Sequence, residues 1–233
     1  MIRTNYGLSG NALKLIAAAA MVADHVGYLF FPTVAALRII GRLAFPIFAY
    51  MVAEGCGYTR NKLKYFLHVF LLAVICQIVY FVAARDTHMN ILVTFSLAIL
   101  LIYAMDAVKS AVSLGKRIGW TVVFTTGVAA VYLLTQYVSV DYGFWGVMTP
   151  VLAGAFRGKT DKRYISVLML GAGLLLVSGY LGGVQIYSLF ALPLLLLYSG
   201  KRGKWKMKYF FYIFYPLHLA LLEGVVIAIH LFF

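Results

Sequence analysis

An all-α, polytopic membrane bundle of about nine transmembrane helices, N-terminus cytoplasmic, is the fold class this sequence predicts. Three observations carry it. Hydrophobic residues make up 64% of the 233-residue chain and charged residues only 12%, about half the charge of a soluble domain; mean hydropathy is +0.93. The apolar stretches run well past the length of a barrel strand. Finally, 17 of the 20 Lys+Arg fall in five clusters: Arg3/Lys14, Arg60/Lys62/Lys64, Lys109/Lys116/Arg117, Arg157/Lys159/Lys162/Arg163 and Lys201/Arg202/Lys204/Lys206/Lys208. Two apolar stretches separate each cluster from the next. That is the positive-inside pattern, so the net charge of +13 reports topology, not affinity for nucleic acid.

The apolar runs place helices at about 12–31, 35–58, 63–84, 90–105, 118–138, 142–157, 164–181, 183–198 and 209–232. The fourth and sixth are short for a hydrocarbon core that needs nearly 20 residues. An odd number of spans puts the C-terminus outside, leaving Arg38, Arg42 and Arg85 toward the outer side. The whole chain, 1–233, reads as one transmembrane domain of a multi-pass cytoplasmic-membrane protein. Residues 1–10 are polar and no cleavable signal peptide is expected. Cys56 and Cys76 fall inside spans and read as ordinary buried thiols.

Ionisable groups inside spans cost about 2.5–3.5 kcal/mol each at helix centre and so ask for a reason. Asp24 and His25 lie two-thirds of the way along the first span. Adjacent helical residues diverge by about 100°, so His25 is expected to take its orienting partner from another helix. Arg38 and Arg42 are one turn apart, and Glu54 follows three turns later on nearly the same face, which must turn inward. The structural alternative is that these arginines pair with Asp24 and Asp141 and lock the helices together. His218 follows Pro216 near the middle of the last span, where a missing N–H frees a carbonyl. Glu223 lies further along the same span. Asp141 and Tyr142 precede two glycines that let a short helix approach closely. Asn90, Thr94 and Ser96 could extend a polar pocket, while His68 and His230 read as interfacial. No metal-ligand spacing or phosphate-binding glycine loop is apparent.

Two mid-membrane histidines among carboxylates and arginines suit either chemistry or translocation within the bilayer. As a general base, a histidine could take a proton from an amine or hydroxyl during acyl transfer, with a polar donor steadying the oxyanion. The residues alone leave enzyme and transporter level.

The blocks LSGNALKLIAAAAMVADHVG, LRIIGRLAFPIFAYMVAEG, NILVTFSLAIL, DYGFWGVM and KYFFYIFYPLHLALL, in that order and spacing, closely resemble the TraX family of integral membrane proteins, known for N-terminal acetylation of conjugative pilin. The family in turn resembles the wider transmembrane acyltransferases. His25 is similar in position to their early-span histidine, Tyr215-x-x-His218 to a pattern near the end of the sugar O-acyltransferases, and Phe45-Pro46-x-Phe48 to an early block of heparan-α-glucosaminide N-acetyltransferase. The resemblance implies an N-acetyltransferase. Acetyl-CoA would enter from the basic face, and His25, oriented by an acid such as Asp141 or Glu54, would deprotonate the acceptor amine of a pilin-like peptide. Asp24 and His218 are further catalytic candidates. Arg38, Arg42, Tyr142 and Tyr215 would steady the oxyanion, fix the acid or line the substrate site. Arg38 and Arg42 lie on the wrong side for the coenzyme phosphates. A sugar or lipid acyltransferase and a transporter are the alternatives.

Overall fold

The structure, a computed structural model, describes residues 7–85, 87–157, 163–205 and 207–232. Arg3, Lys159, Lys162 and Lys206 of the basic clusters lie outside the described residues, as do the side chains of Lys208 and His230. The chain folds into helices α1 (Gly10–Leu29), α2 (Ala35–Gly41), α3 (Ala44–Tyr58), α4 (Lys62–Ala84), α5 (Ile91–Ser110), α6 (Leu114–Tyr137), α7 (Gly143–Ala155), α8 (Arg163–Leu181), α9 (Ala191–Leu196) and α10 (Lys208–Phe232), with a 3-10 helix, Gly183–Phe190, before α9. Local sequence starts several of them. Ser9, Asn61, Asn90 and Ser113 each accept a first-turn backbone N–H through the side chain, satisfying donors that the helix itself leaves open.

Seven helices among the described residues are long and apolar enough to cross a membrane, counting α2 and α3 as the one span Ala35–Tyr58. Two of the nine expected spans, the sixth and the eighth, correspond to the shorter apolar helices Gly143–Ala155 and Gly183–Leu196. The second expected span is interrupted at Arg42–Leu43, between α2 and α3. The fourth is full length: α5 continues to Ser110, carrying Asp106 to an ion pair with Arg157 and Lys109 to the Ala155 carbonyl. Charged residues past residue 105 hid that last turn.

Both short segments nonetheless join the two ends of the bundle. Helix α7 begins beside Asp141 and ends beside Lys109, yet its 13 residues rise only about 20 Å. The segment from Gly183 to Leu196 runs from Gln185, bonded to Arg42, toward Tyr198, bonded to Arg163. Its first eight residues use the tighter 3-10 coil, which rises about 2 Å per residue and lengthens a short piece of chain. The bundle is therefore thin along this side.

The main core lies among α1, α3, α5, α7, α8 and α9, with Leu13, Tyr50, Ile99, Val147, Leu170 and Leu195 fully enclosed. A second, smaller core joins α1 to α4 and α10 through Ala20, Met21, Ala44, Cys76, Tyr215 and Leu219. Helices α4, α6 and α10 present long rows of exposed apolar side chains, as lipid contact requires. Cys56 and Cys76 are buried free thiols. One end of the bundle gathers Lys14, Lys64, Lys201, Arg202 and Lys204 around a single cavity. Arg38 and Arg42 lie at the other end with Asp24.

Candidate active site

The site is assembled between the small core and the end of the bundle where α1 meets α2. His25 on α1 and His218 on α10 pack edge to face, ring centroids 5.2 Å apart. The His25 Nδ1–H donates to the Met21 carbonyl at 2.8 Å, one turn back on its own helix. His218 does the same toward the Phe214 carbonyl at 3.0 Å. A carbonyl only accepts, so each bond fixes the proton on Nδ1 and leaves the lone pair on Nε2. The Tyr80 hydroxyl approaches Nε2 of His25 at 3.5 Å. His218 Nε2 is buried with no hydrogen-bond partner among the described residues, its ring stacked on Phe214 and edge-on to Tyr215.

These contacts correct the expected support of His25. Its orienting group is a carbonyl of its own helix, not an acid from another, because Nδ1 reaches back along the helix to residue i−4. Asp24 is taken up elsewhere. The Arg42 guanidinium grips both its carboxylate oxygens, at 2.5 and 2.6 Å, and Arg38 adds contacts of 3.1 Å to Oδ1 and to the Asp24 carbonyl. Asp24 thus joins α1 to α2 through its carboxylate. Arg42 also donates to Gln185 at 3.0 Å, and Arg38 lies over the Tyr28 ring. Both arginines converge on Asp24, while Asp141 has His88 within 4.0 Å. The Asp141 side chain is 40% exposed, and His88 and Arg42 both favour its charged form.

A Cβ on Gly41 would meet the Asp24 carboxylate at 2.3 Å. The ion-paired Asp24 has no room to give, so Gly41→Ala is expected to cost about 1–3 kcal/mol. Thermal unfolding of the variant in detergent checks this, and an unchanged midpoint would contradict the tight α1–α2 contact.

A cavity of about 740 Å³ opens beside His25, lined by Asp24, Arg38, Arg42, Tyr80, Asp141 and Tyr142 among others. Tyr215, Glu223 and Asn90 also line it; Thr94 and Ser96 do not, since their hydroxyls turn to the Asp141 and Leu92 carbonyls. Tyr142 takes a left-handed backbone conformation at the start of α7 and stacks on Phe45 at 4.0 Å. Glu54 is not part of this group. It lines a second cavity, about 830 Å³, at the basic end of the bundle, and cannot orient His25 from there. His68 lines that cavity too, with Nδ1 on the Lys64 carbonyl at 2.5 Å. The two cavities share Lys14, Met51, Tyr65, Phe211 and Tyr212 as lining residues.

Sequence reasoning missed Tyr80, His88 and Gln185. Tyr80 lies in an unbroken apolar run and Gln185 in the 3-10 segment; only helix packing brings them to His25 and Arg42. His88 could have been flagged as a titratable residue just before the Asn90 cap.

Fold and site together define a polytopic α-helical membrane protein with a histidine pair beside an internal cavity. The TraX protein family model matches residues 9–226, and the chain belongs to that family. It is 29% identical to a probable fimbrial assembly protein FimC, serogroup H1, of Dichelobacter nodosus, over 94% of this chain and 96% of that protein. An uncharacterized protein, RP591, of Rickettsia prowazekii (strain Madrid E) is 31% identical over 34% of this chain and 30% of its own length. No solved structure is significantly similar to it.

Proposed function

We propose that this chain is an acetyl-CoA-dependent N-acetyltransferase of the cytoplasmic membrane, N-terminus inside, acting on the terminal amine of a pilin-like peptide. The observation that carries the reading is the state of His25. Its Nδ1 is committed to Met21, its Nε2 meets the Tyr80 hydroxyl at 3.5 Å, a contact long enough to yield to a substrate, and its ring borders a cavity large enough for two reacting groups. Membership of the TraX family and a fimbrial assembly relative support a pilin-like acceptor.

The acceptor, as a neutral amine, attacks the thioester carbonyl carbon. Nε2 of His25 takes the proton that the nitrogen sheds as the C–N bond forms. The C–S bond breaks, and the proton passes from His25 to the leaving thiolate, giving amide and free coenzyme A. Tyr80, beside Nε2, can donate to the oxyanion of the tetrahedral intermediate. Direct transfer of this kind needs one histidine in contact with substrate; His218 backs its ring. Asp24, Arg38 and Arg42 act by holding α1 against α2, and so position His25.

The test is acetyl transfer by purified protein in nanodiscs, supplied with acetyl-CoA and peptides whose N-termini are free or blocked. Amide formation on the free-amine peptide alone is expected. Acetylation of an added sugar or lipid with none on peptide would move the protein to another acceptor class. No consumption of acetyl-CoA by folded protein with any acceptor would overturn the enzyme reading.

A further inference from the structure

The cavity at the basic end has features that a passive hydrated mouth does not need. Among the described residues, five cationic side chains line it, Lys14, Lys64, Lys201, Arg202 and Lys204, against one carboxylate, Glu54. They come from three separate parts of the chain, so their convergence is a product of the fold. The loop that brings the last three is anchored firmly. Carbonyls of Lys201 and Arg202 accept from the backbone N–H groups of Gly10 and Asn11, at 2.8 and 2.9 Å. The Asn11 side chain donates to the Trp205 carbonyl at 2.6 Å. Gly203, with φ of +100°, lets the loop lie against α1: a Cβ there would stand 2.9 Å from Ser9 Oγ. The first-turn N–H groups of α1 are thereby consumed, and the positive charge offered to a ligand is that of side chains, three of them on this fixed loop.

Lys14 has a particular place. It lines both cavities, and its ammonium lies 5.8 Å from the centre of the Phe211 ring. The other shared lining residues, Met51, Tyr65, Phe211 and Tyr212, are apolar or aromatic. A gap between the two cavities with this lining would suit an uncharged arm better than a charged head.

Resting on the acetyl-transfer reading above, we infer that the basic cavity is the binding site for the phosphorylated nucleotide head of the donor, with Lys14 holding the phosphate next to the arm that passes through this gap to His25. The charges match. A phosphomonoester carries about −1.5 to −2 and a diphosphate bridge about two more, so the head brings roughly four negative charges to five cations and one carboxylate. Lys14 is a binding residue here: it marks where head ends and arm begins.

The experiment measures binding of coenzyme A, adenosine 3′,5′-bisphosphate and adenosine by calorimetry, in phosphatidylcholine nanodiscs, so no turnover is needed. Coenzyme A and the bisphosphate should bind, and adenosine should not. A double variant, Lys64→Gln with Lys204→Gln, should weaken both ligands at least about tenfold, the loss of a charge-assisted contact or two. Lys14→Met should weaken coenzyme A more than the bisphosphate, which lacks the arm-side phosphate. Unchanged coenzyme A affinity in all three substituted positions, in protein that unfolds at the wild-type temperature, overturns the assignment even if acetyl transfer is intact. Binding that follows the predicted pattern without any acetyl transfer sustains the site and sinks the reaction. Repeating the titration in phosphatidylglycerol discs separates a soluble nucleotide from a lipid headgroup. Abolition of coenzyme A binding there would assign the cavity to anionic lipid instead.

Discussion

His25→Ala is expected to lower the rate of acetyl transfer by about 10²- to 10⁴-fold, the range a positioned general base contributes, while the helical bundle stays intact. The expectation rests on tautomer and place. The Met21 carbonyl holds the proton on Nδ1, so the atom facing the reacting nitrogen is the unprotonated Nε2. Alanine removes that lone pair but leaves the Asp24–Arg42 link, which belongs to the neighbouring residue. Tyr80→Phe should cost less, about the 10²-fold typical of one oxyanion donor at most. Turnover with acetyl-CoA and a free-amine peptide measures both, alongside circular dichroism and thermal unfolding of each variant. If His25→Ala were to retain wild-type turnover, the base lies elsewhere, and His218 would be the next residue to replace. Equal losses for His25→Ala and Tyr80→Phe would assign the two a joint role, since residues acting as a unit do not contribute additively.

Most of the architecture was legible in the chain because lipid as solvent leaves few options. Long apolar runs must become helices, whose backbone groups bond within the segment. Hydropathy was less informative where helices carry charge into partner contacts. The end of α5 reads as a loop because Asp106 and Lys109 are polar, yet both are engaged by α7 and the turn after it. The break between α2 and α3 was illegible for a related reason: Arg42 closes α2 with a side chain that reaches sideways to Asp24 and Gln185, a purpose no periodicity records.

The site was half legible. His25 and His218 stood out as ionisable groups in apolar surroundings, and the fold brings their rings together. What supports them could not be read from spacing. Backbone carbonyls have no sequence signature, so the Met21 and Phe214 acceptors were invisible, and an acid from another helix was the natural expectation in their place. Glu54 and Asp24 attracted attention by type, but one belongs to the opposite cavity and the other is saturated by two guanidiniums. Titratable type identifies candidates; only the helix arrangement sorts catalysts from ties.

That sorting makes the second large effect one of stability. Asp24→Ala should destabilise the protein by about 2–4 kcal/mol, somewhat under the range for removing one partner of a fully buried ion pair, because these side chains keep partial exposure. It would leave two guanidiniums, of which Arg42 is the more buried, facing each other without their paired carboxylate: their side chains are 12% and 28% exposed, against 19% for Asp24. Arg42→Ala should cost less, because Arg38 still reaches Asp24 at 3.1 Å, and Arg38→Ala least, because the bidentate Arg42 contact survives. The order Asp24, Arg42, Arg38 is the discriminating feature. Replacing Asp24 and Arg42 together with leucine and methionine should recover part of the loss, since an uncharged pair leaves only Arg38 unmatched. Unfolding midpoints in detergent give the order. Equal midpoints for Asp24→Ala and Arg38→Ala would mean that the carboxylate is not the hub of this contact. A stable Arg42→Ala protein with turnover abolished would turn Arg42 from a helix tie into a group that meets the substrate.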